Sequence, residues 1–229
     1  MSEFREIIAK KGAVQLHDLN PIVFRDLESL YRDLQLNIQP NSFFYSILEN
    51  DFGANLDLHE KLIRIMQPTV DELFPNHKIY NSTLLIKPGN GKESLDFHQD
   101  WSFTENHSAL TFWIPLCDTD EASGALCFLQ NQAKKEKPYI SQHYPSQRLP
   151  IHQFAESAYE TYLTKKGDFI IFDPNALHGS WPNSLPSERV VFSFTLIKND
   201  VPLIHVQKKD EQHAIVYYLD EFSFLKELK

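Results

Sequence analysis

The segment KGDFIIFDPNALHGSWPNSLPSERVVFS, which spans Lys166 to Ser193, predicts two buried strands joined by a loop. Gly167 and Asp168 precede a four-residue apolar run, which is short enough to be a buried strand. An Asp-Pro-Asn turn ends that run, and a stretch rich in Pro, Ser and Asn follows. The segment therefore places His178 and Arg189 on either side of a turn-rich connection.

The second strand of this segment has two different faces. Side chains alternate between the faces of a strand. From position 189 onward, one face carries Arg189, Val191, Ser193 and Thr195, and the other carries Val190, Phe192, Phe194 and Leu196. The second face is apolar throughout. The first mixes small and polar side chains, which is typical of a strand that lines a cavity for a polar ligand.

Length and composition favour a single globular domain. The chain has 229 residues, and 13% of them are aromatic, enough for a sizeable core. The formal net charge of −9 argues against nucleic acid or an anionic membrane as the main partner. Cys117 and Cys127 lack C-x-x-C spacing and are expected to be buried thiols of a reducing compartment. With no evident signal peptide and no long apolar window, we expect a cytoplasmic protein; nothing indicates its oligomeric state.

Helical patterns are confined to the N-terminal third. A short helix and a strand at Ala13 to Leu16 are expected within the first 17 residues. Asn20 is a candidate N-cap, with Pro21 at the first position of the next helix. A further helix is expected from about Leu58 to Leu73, kinked or divided by Pro68. We expect residues 1–79 to pack as a mainly helical part against a sheet.

From Tyr80 onward the pattern changes to short strands. The seven expected strand segments are YNSTLLIKP, SLDFHQDWSF, ALTFWIPLCD, GALCFL, GDFIIF, RVVFSFTLI and HAIVYYL. Because irregular loops, and not alternating helices, connect them, they favour an antiparallel double sheet. The predicted fold class is therefore mainly β with flanking helices (α+β), built on a double-stranded β-helix (jelly-roll, cupin-like) core. Residues 80–229 would form this core, and the polar, Pro-broken stretch 130–166 would be an insertion or lid.

Three residues form a candidate metal site. In the strand LDFHQDW, His98 and Asp100 are two residues apart and should leave the same face. On its own this pair is a weak signal, since a His beside a solvated Asp is common. His178 strengthens it, because two His and one carboxylate occupy one face of an octahedron and leave three positions open, which suits non-heme Fe(II). A closed zinc site would need a fourth ligand, and no Cys is placed to provide it.

Several motifs together resemble a known family. The matching residues are His98-Gln99-Asp100, Trp113, Gly124-Ala125-Leu126, Gly167-Asp168, Leu177-His178-Gly179-Ser180, Asn183 and Arg189. In this order and spacing, over roughly residues 80 to 197, they resemble the phytanoyl-CoA dioxygenase (PhyH) family of Fe(II)- and 2-oxoglutarate-dependent oxygenases.

The resemblance implies a set of roles. His98, Asp100 and His178 would be the catalytic iron ligands, and Arg189 and Ser180 would bind the distal carboxylate of 2-oxoglutarate. Trp113 would line the cosubstrate pocket. The enzyme would be a dioxygenase (hydroxylase) that uses Fe(II), 2-oxoglutarate and O2, oxidises a small organic molecule, and releases succinate and CO2. Arg suits such a role better than Lys because its two-pronged donor is permanently charged.

The sequence also departs from the family. Many members have a Pro-Gly-Ser-His element after the glycine that is Gly124 here, whereas this chain continues Cys127-Phe128-Leu129-Gln130. Substrate assignments therefore do not transfer, and no basic cluster supports an acyl-CoA substrate. Related halogenases have a small residue at the carboxylate position, so Asp100 favours hydroxylation or another oxidation.

Alternative interpretations accompany each assignment. Asn81, Thr83 and Lys87 alternate onto one strand face, which could line the cavity or face solvent. Trp113 could be simple core packing, and Trp101 and Phe103 could form a substrate wall or a loop anchor. The remaining eight His are expected at the surface or in loops. The rival function is a cupin-like binding or sensing protein without catalysis; a metal-dependent isomerase or hydrolase ranks lower because it leaves Arg189 without a role.

Overall fold

Three helices precede most of the strands in the chain. In a computed structural model, the described residues are 2–34, 43–49, 51–100, 104, 109–130, 149–208, 214–220 and 222–223. The helices are α1 (Ser2–Lys11), α2 (Pro21–Asp33) and α3 (Phe52–Leu73). The strands are β1 (Ala13–Leu16), β2 (Phe44–Tyr45), β3 (His77–Lys87), β4 (Leu95–His98), β5 (Leu110–Pro115), β6 (Leu126–Leu129), β7 (Tyr159–Tyr162), β8 (Phe169–Phe172), β9 (His178–Ser180), β10 (Arg189–Lys198), β11 (Ile204–Lys208) and β12 (Ala214–Tyr218).

The strands form two main antiparallel sheets and one hairpin. The larger sheet has the order β1-β8-β5-β10-β3-β2, and the smaller has the order β4-β9-β6-β7. Strands β11 and β12 pair only with each other. Neighbours in each main sheet are distant in sequence, and helices cover one side, which agrees with the predicted jelly-roll core and its flanking helices.

The alternation of side chains explains where the core lies. On β10, Val190 and Phe192 join the core cluster that includes α2 and α3, whereas Val191 faces the smaller sheet. On β5, Phe112 faces the helices and Trp113 faces the smaller sheet. The larger sheet is therefore buried on both faces, with one face against the helices and the other turned towards the smaller sheet.

Helix prediction was correct in position but not in every boundary. Asn20 caps α2, since its side chain accepts a hydrogen bond from the Ile22 amide, and Pro21 is the first helical residue. Helix α3 begins at Phe52, six residues before the predicted start, because the Asp51 side chain accepts a hydrogen bond from Ala54 N. Pro68 lies inside α3 and does not divide it.

One part of the predicted insertion belongs to the core. Tyr159–Tyr162 forms β7, which pairs with β6 from Leu126↔Tyr162 to Leu129↔Tyr159. The prediction of a lid was wrong for this stretch. Of its four side chains only that of Tyr162 is buried, so the sequence lacks the apolar pattern of a core strand. Residues 131–148 of the predicted insertion lie outside the described residues.

Two histidines are buried, contrary to the expectation of a surface or loop position. His59 and His77, which were expected at the surface, are each only 5% exposed. His59 Nδ1 lies 2.8 Å from Ser82 Oγ, and His77 Nδ1 lies 3.2 Å from the carbonyl of Pro75.

The free thiol of Cys127 is buried, and that of Cys117 is partly buried. In the described part of the chain, no helix is long and apolar enough to span a membrane.

His59 should make the fold sensitive to acid. Burial lowers the pKa of His59 to about 4. The imidazole is neutral in both states above pH 6.5; below that pH the unfolded chain takes up a proton that the folded chain does not, so stability falls as the pH drops towards 4. We expect this one group to account for up to roughly 3 kcal/mol of that loss, at about 1.4 kcal/mol per pKa unit.

The measurement is the free energy of unfolding in urea at pH 7 and pH 4.5. His59→Gln, which keeps a hydrogen-bonding side chain but cannot titrate, should flatten the dependence relative to the wild type. The control His152→Gln, at an exposed position, should retain the wild-type dependence. An unchanged slope in His59→Gln would contradict the assignment.

Candidate metal centre and its cavity

Three ligand-type side chains, far apart in sequence, meet at one end of the smaller sheet. Strand β4 pairs with β9 so that His98 lies directly opposite His178. Asp100 follows the end of β4 instead of lying within it, and its amide donates to Pro174 O at 2.8 Å. The ligand atoms of the three residues all lie within 4.8 Å of one another. The structure thus brings together the three residues that the sequence singled out.

The orientation of both imidazoles is fixed by the backbone. His98 Nδ1 lies 2.7 Å from the carbonyl of Asp96, and His178 Nδ1 lies 2.9 Å from the carbonyl of Ala176. A carbonyl oxygen only accepts, so each Nδ1 carries the proton and each Nε2 is left with a lone pair. Both Nε2 atoms face Asp100 Oδ1, at 3.7 Å from His98 and 3.4 Å from His178. Such backbone anchoring is typical of metal-binding His.

The carboxylate and the imidazoles stabilise each other's charged forms. Burial favours the neutral form of Asp100, but His178 and His98 outweigh it and the pKa of Asp100 is lowered. Burial likewise disfavours charge on His178, yet Asp100 raises the pKa of that imidazole. Thr111 Oγ1 donates to Asp100 Oδ2 at 3.3 Å, which leaves Oδ1 directed at the imidazoles. Asp100 is therefore ionised, and a metal ion would replace the proton that this carboxylate favours on His178.

His98, Asp100 and His178, which we call the metal-ligand triad after their predicted role, border a cavity of about 370 Å³ between the two sheets. This volume lies near the lower end of the roughly 300–1,000 Å³ range of small-molecule pockets. Strand β3 contributes Asn81, Thr83, Leu85 and Lys87, which alternate along one face. Of the two interpretations of Asn81, Thr83 and Lys87, the cavity-lining one is therefore confirmed. Arg189, Ser193 and Thr195 of β10 line the cavity as predicted, whereas Val191 packs in the core.

Arg189 is a buried cation whose guanidinium has an N–H group without a hydrogen-bond partner among the described residues. It is 2% exposed, donates through Nη1 to the carbonyl of Gly124, and has no hydrogen-bond partner for Nε. Its guanidinium lies 5.4 Å from the centre of the Trp113 ring, which limits its movement. Burial lowers the pKa of Arg189 to about 10, so it remains charged at neutral pH. A buried guanidinium with an unpaired N–H fits an incoming carboxylate.

Lys87 lies beside Arg189 and braces the strand that carries His178. The two residues are directly paired between β3 and β10. Lys87 Nζ donates to the carbonyl of Ser180 at 3.1 Å, to that of Glu93 at 3.4 Å and to that of Trp181. Burial, followed by repulsion from Arg189, lowers the pKa of Lys87 to about 6. Lys87 therefore ties β3 to β9 and to the segment that leads into β4.

The donor set fits the expected groups. Two imidazoles and one carboxylate, with no thiolate among them, match the ligands of mononuclear Fe(II) and leave coordination positions open towards the cavity. Ser180, which is 1% exposed, lines the same cavity as Arg189. Sequence reasoning missed Thr111 and the brace formed by Lys87, because neither hydrogen bond has a sequence signature. Trp101 and Phe103 lie outside the described residues.

A family model matches most of the chain. The model described as phytanoyl-CoA dioxygenase (PhyH) matches residues 34–191. This range includes the metal-ligand triad, Ser180 and Arg189. No curated protein matches the chain in sequence.

Solved structures with the same fold are known despite low identity. The non-heme alpha ketoglutarate dependent epimerase SnoN from nogalamycin biosynthesis superimposes with a TM-score of 0.61 at 15% identity, covering 88% of this chain and 84% of SnoN. HygX from Streptomyces hygroscopicus, with nickel, 2-oxoglutarate and hygromycin B bound, gives 0.58 at 13%, covering 87% and 88%. EctD from S. alaskensis, with 2-oxoglutarate and 5-hydroxyectoine, gives 0.59 at 17%, covering 89% and 78%.

Loss of the Lys87 brace should destabilise the protein in a pH-dependent way. Lys87→Met keeps an unbranched side chain but removes donors from buried carbonyls, at a cost of about 1–3 kcal/mol. The pKa of Lys87 falls from 10.5 to about 6 on folding, so folding of the wild type at lower pH must either bury the charge or remove the proton. This free-energy cost decreases as the pH rises from 6 towards 10. The deficit of the variant should therefore be larger at pH 9 than at pH 6.

Urea unfolding of the metal-free protein at both pH values measures this deficit. Lys61→Met is the matched control, since Lys61 is exposed on α3 and pairs with Asp57 across one helical turn. The control should change stability by less than about 0.5 kcal/mol, as surface substitutions generally do. A Lys87→Met protein as stable as wild type at pH 9 would refute the bracing role.

Proposed function

Because this chain belongs to the phytanoyl-CoA dioxygenase family of Fe(II)- and 2-oxoglutarate-dependent oxygenases, we propose that His98, Asp100 and His178 hold its iron and that Arg189, Ser180 and Trp113 form its cosubstrate site. The enzyme is a 2-oxoglutarate-dependent dioxygenase whose cofactor is Fe(II) and whose cosubstrates are 2-oxoglutarate and O2. The observation that carries the residue assignment is one cavity that contains both the metal-ligand triad and a buried Arg with an unpaired N–H.

When bound, iron and 2-oxoglutarate would supply the oxidising power: one atom of O2 would enter succinate as 2-oxoglutarate loses CO2, and the other atom would oxidise the substrate. The chain's own residues prepare for this by orientation. Backbone carbonyls hold both imidazoles with Nε2 towards the metal position, and Thr111 holds one oxygen of Asp100 so that the other is available. Preorganised ligands of this kind need no rearrangement when the metal binds.

The cosubstrate assignment rests on charge. A dicarboxylate whose far end lies at Arg189 would neutralise a buried cation that none of the described carboxylates pairs with. Ser180 would add a hydroxyl donor, and the ring of Trp113 would keep the guanidinium in place. Burial excludes water and therefore strengthens these interactions.

The substrate is proposed to be a small organic molecule. The cavity is small, and structural neighbours were crystallised with compounds of this kind, namely hygromycin B in HygX and nogalamycin RO in SnoN. We also propose that 1–229 acts as one domain, because residues from both sheets line one cavity. Nothing in the comparisons supports the alternative of a non-catalytic sensor, and a hydrolase would give Arg189 no task.

Asp100→Ala should abolish specific metal binding. Substitution of groups that merely support a ligand typically costs 10- to 100-fold in affinity, so loss of one of three ligands should cost at least about 100-fold. Equilibrium dialysis with Mn(II) measures the affinity without oxidation. Asp57→Ala, at an exposed site on α3, should bind as the wild type does. A wild-type affinity in Asp100→Ala would exclude Asp100 as a ligand.

Arg189→Ala should remove 2-oxoglutarate binding. Anaerobic protein with Fe(II) and 2-oxoglutarate should give a weak visible charge-transfer band. Loss of hydrogen bonds to a charged group, worth about 1.5–3 kcal/mol each, should weaken cosubstrate binding roughly 100-fold, since every 1.4 kcal/mol is tenfold. Arg189→Lys, which keeps the charge, should bind at an intermediate level.

The exposed Arg64, which is paired only with Glu60 on its own helix, provides the control variant Arg64→Ala. Arg64→Ala should form the charge-transfer band at the same concentration of 2-oxoglutarate as the wild type does. Succinate production in the presence of iron and ascorbate separates an enzyme from a sensor. If intact wild-type protein forms no band and yields no succinate, the proposed function is wrong.

A further inference from the structure

A polar row crosses the cavity wall at the end that lies away from Arg189. Strand pairing places Thr195 of β10 opposite Asn81 of β3 on one side and opposite Thr111 of β5 on the other. All three side chains line the cavity. We call these three residues the Asn81–Thr195–Thr111 row. Side chains in register on adjacent strands are close enough to bind one ligand group together.

The row lies beyond the metal centre when viewed from the cosubstrate end. Thr195 is six residues from Arg189 along β10, which corresponds to about 20 Å at roughly 3.3 Å per residue. Thr111 contacts Asp100 at 3.3 Å, so the row borders the metal-ligand triad. A five-carbon dicarboxylate is shorter than this distance, so one bound at Arg189 would leave the row free. A group bound there would therefore lie next to the reacting centre.

The side-chain oxygen of Asn81 is an unpaired hydrogen-bond acceptor in this row. The residue is 9% exposed, and its Oδ1 atom is buried and has no hydrogen-bond partner within the described part of the chain. Polar groups in the neighbouring row are satisfied within the protein: Thr83 Oγ1 lies 3.2 Å from Ser46 Oγ, and Ser193 Oγ donates to Phe112 O at 2.8 Å. A buried unpaired acceptor costs about 1–3 kcal/mol, so its retention calls for a ligand that supplies a donor.

Apolar side chains line the same cavity as the row. Ile47 and Leu48, from the 3-10 turn that follows β2, line it together with the ring of Tyr45. A ligand that satisfies Asn81 therefore also needs an apolar face. Its polar part would hydrogen-bond to the row, and its carbon skeleton would contact these side chains.

Among the described lining residues, no charge at this end of the cavity is left without a partner. Arg189 is the permanent cation and lies at the cosubstrate end, and Lys87 beside it is largely neutral at pH 7. The carboxylates are Asp100, which borders the row but already faces both imidazoles and Thr111, and Glu93, whose carbonyl accepts from Lys87. A buried charge without a partner is costly, which favours a neutral ligand group next to Asn81 and Thr195.

From these contacts we propose that the Asn81–Thr195–Thr111 row selects the substrate, and that the substrate is a neutral molecule with a hydroxyl group on an apolar skeleton. The inference rests on the proposed function, since it assumes iron and 2-oxoglutarate at the other positions. A hydroxyl both donates and accepts, which matches the carboxamide of Asn81 and the hydroxyl of Thr195. Asn81 and Thr195 are thereby specificity-determining residues.

The test compares three ring compounds that differ only in their polar group. Cyclohexanol, cyclohexanecarboxylate and cyclohexylamine are titrated into anaerobic wild-type protein loaded with Fe(II) and 2-oxoglutarate, and the change in the charge-transfer band reports occupancy beside the metal. Cyclohexanol should bind at least about tenfold more tightly than either ionic compound, since tenfold corresponds to 1.4 kcal/mol. Tighter binding of either ionic compound would overturn the inference.

Two variants test the residues themselves. Asn81→Leu and Thr195→Val should each weaken cyclohexanol binding about three- to tenfold, the effect of one neutral hydrogen bond. The band recorded before the alcohol is added establishes that each variant still binds iron and cosubstrate. The matched controls are Asn199→Leu, at an exposed turn, and Thr69→Val, on α3; both should bind cyclohexanol as the wild type does.

The outcomes separate the inference from its premise. If the band forms but both variants bind cyclohexanol with wild-type affinity, the row does not select the substrate and the proposed function stands. If wild-type protein forms no band, the proposed function and the inference both fail. Weakened alcohol binding in either variant that still forms the band, together with the wild-type preference for cyclohexanol, supports the inference.

Discussion

The pairing of β4 with β9 is the constraint on which the functional site depends. It sets His98 opposite His178, although 79 residues separate them in the sequence. A slip of one residue in this register would turn one imidazole to the other face of the sheet. The register is held from several directions, because β9 also pairs with β6, and Lys87 donates to the carbonyls of Ser180 and Trp181 at the end of β9.

A buried positive charge at one end of the cavity follows from the same arrangement. Arg189 and Lys87 lie side by side on paired strands and both are buried; Arg189 stays charged, whereas Lys87 is largely neutral at pH 7. Backbone carbonyls of Gly124, Ser180 and Trp181 partly replace the water that these two side chains lose. Carbonyl dipoles do not neutralise the charge of Arg189, so an anionic ligand bound there would gain affinity from it. Gly124 is required here, because a Cβ at this position would lie 2.8 Å from Trp181 O.

Sequence reasoning located what strand periodicity and spaced motifs encode. The alternation of β10 predicts the cavity face that includes Arg189, and motif spacing predicts the three residues that meet as the metal-ligand triad. The sequence does not predict strand β7, because β7 lies at the edge of its sheet and Tyr162 is its one buried side chain. The start of α3 depends on a cap by Asp51 followed closely by Gly53, a combination that weakens the helical pattern. The contact of Thr111 with Asp100 depends on a loop path that periodicity does not describe.

The two ends of the cavity are built in different ways, and this difference bears on how specificity arises. At the cosubstrate end, Arg189 and Lys87 are held by backbone carbonyls, so a change there disturbs strand positions as well as binding. At the other end, Asn81 and Thr195 lie opposite each other beside a register shift between β3 and β10, and Asn81 Oδ1 has no hydrogen-bond partner among the described residues. Substitution there alters the lining without removing a hydrogen bond that the fold needs. A jelly-roll with a constant cosubstrate end and a replaceable opposite wall can therefore acquire new substrates while its metal centre and its sheets stay the same.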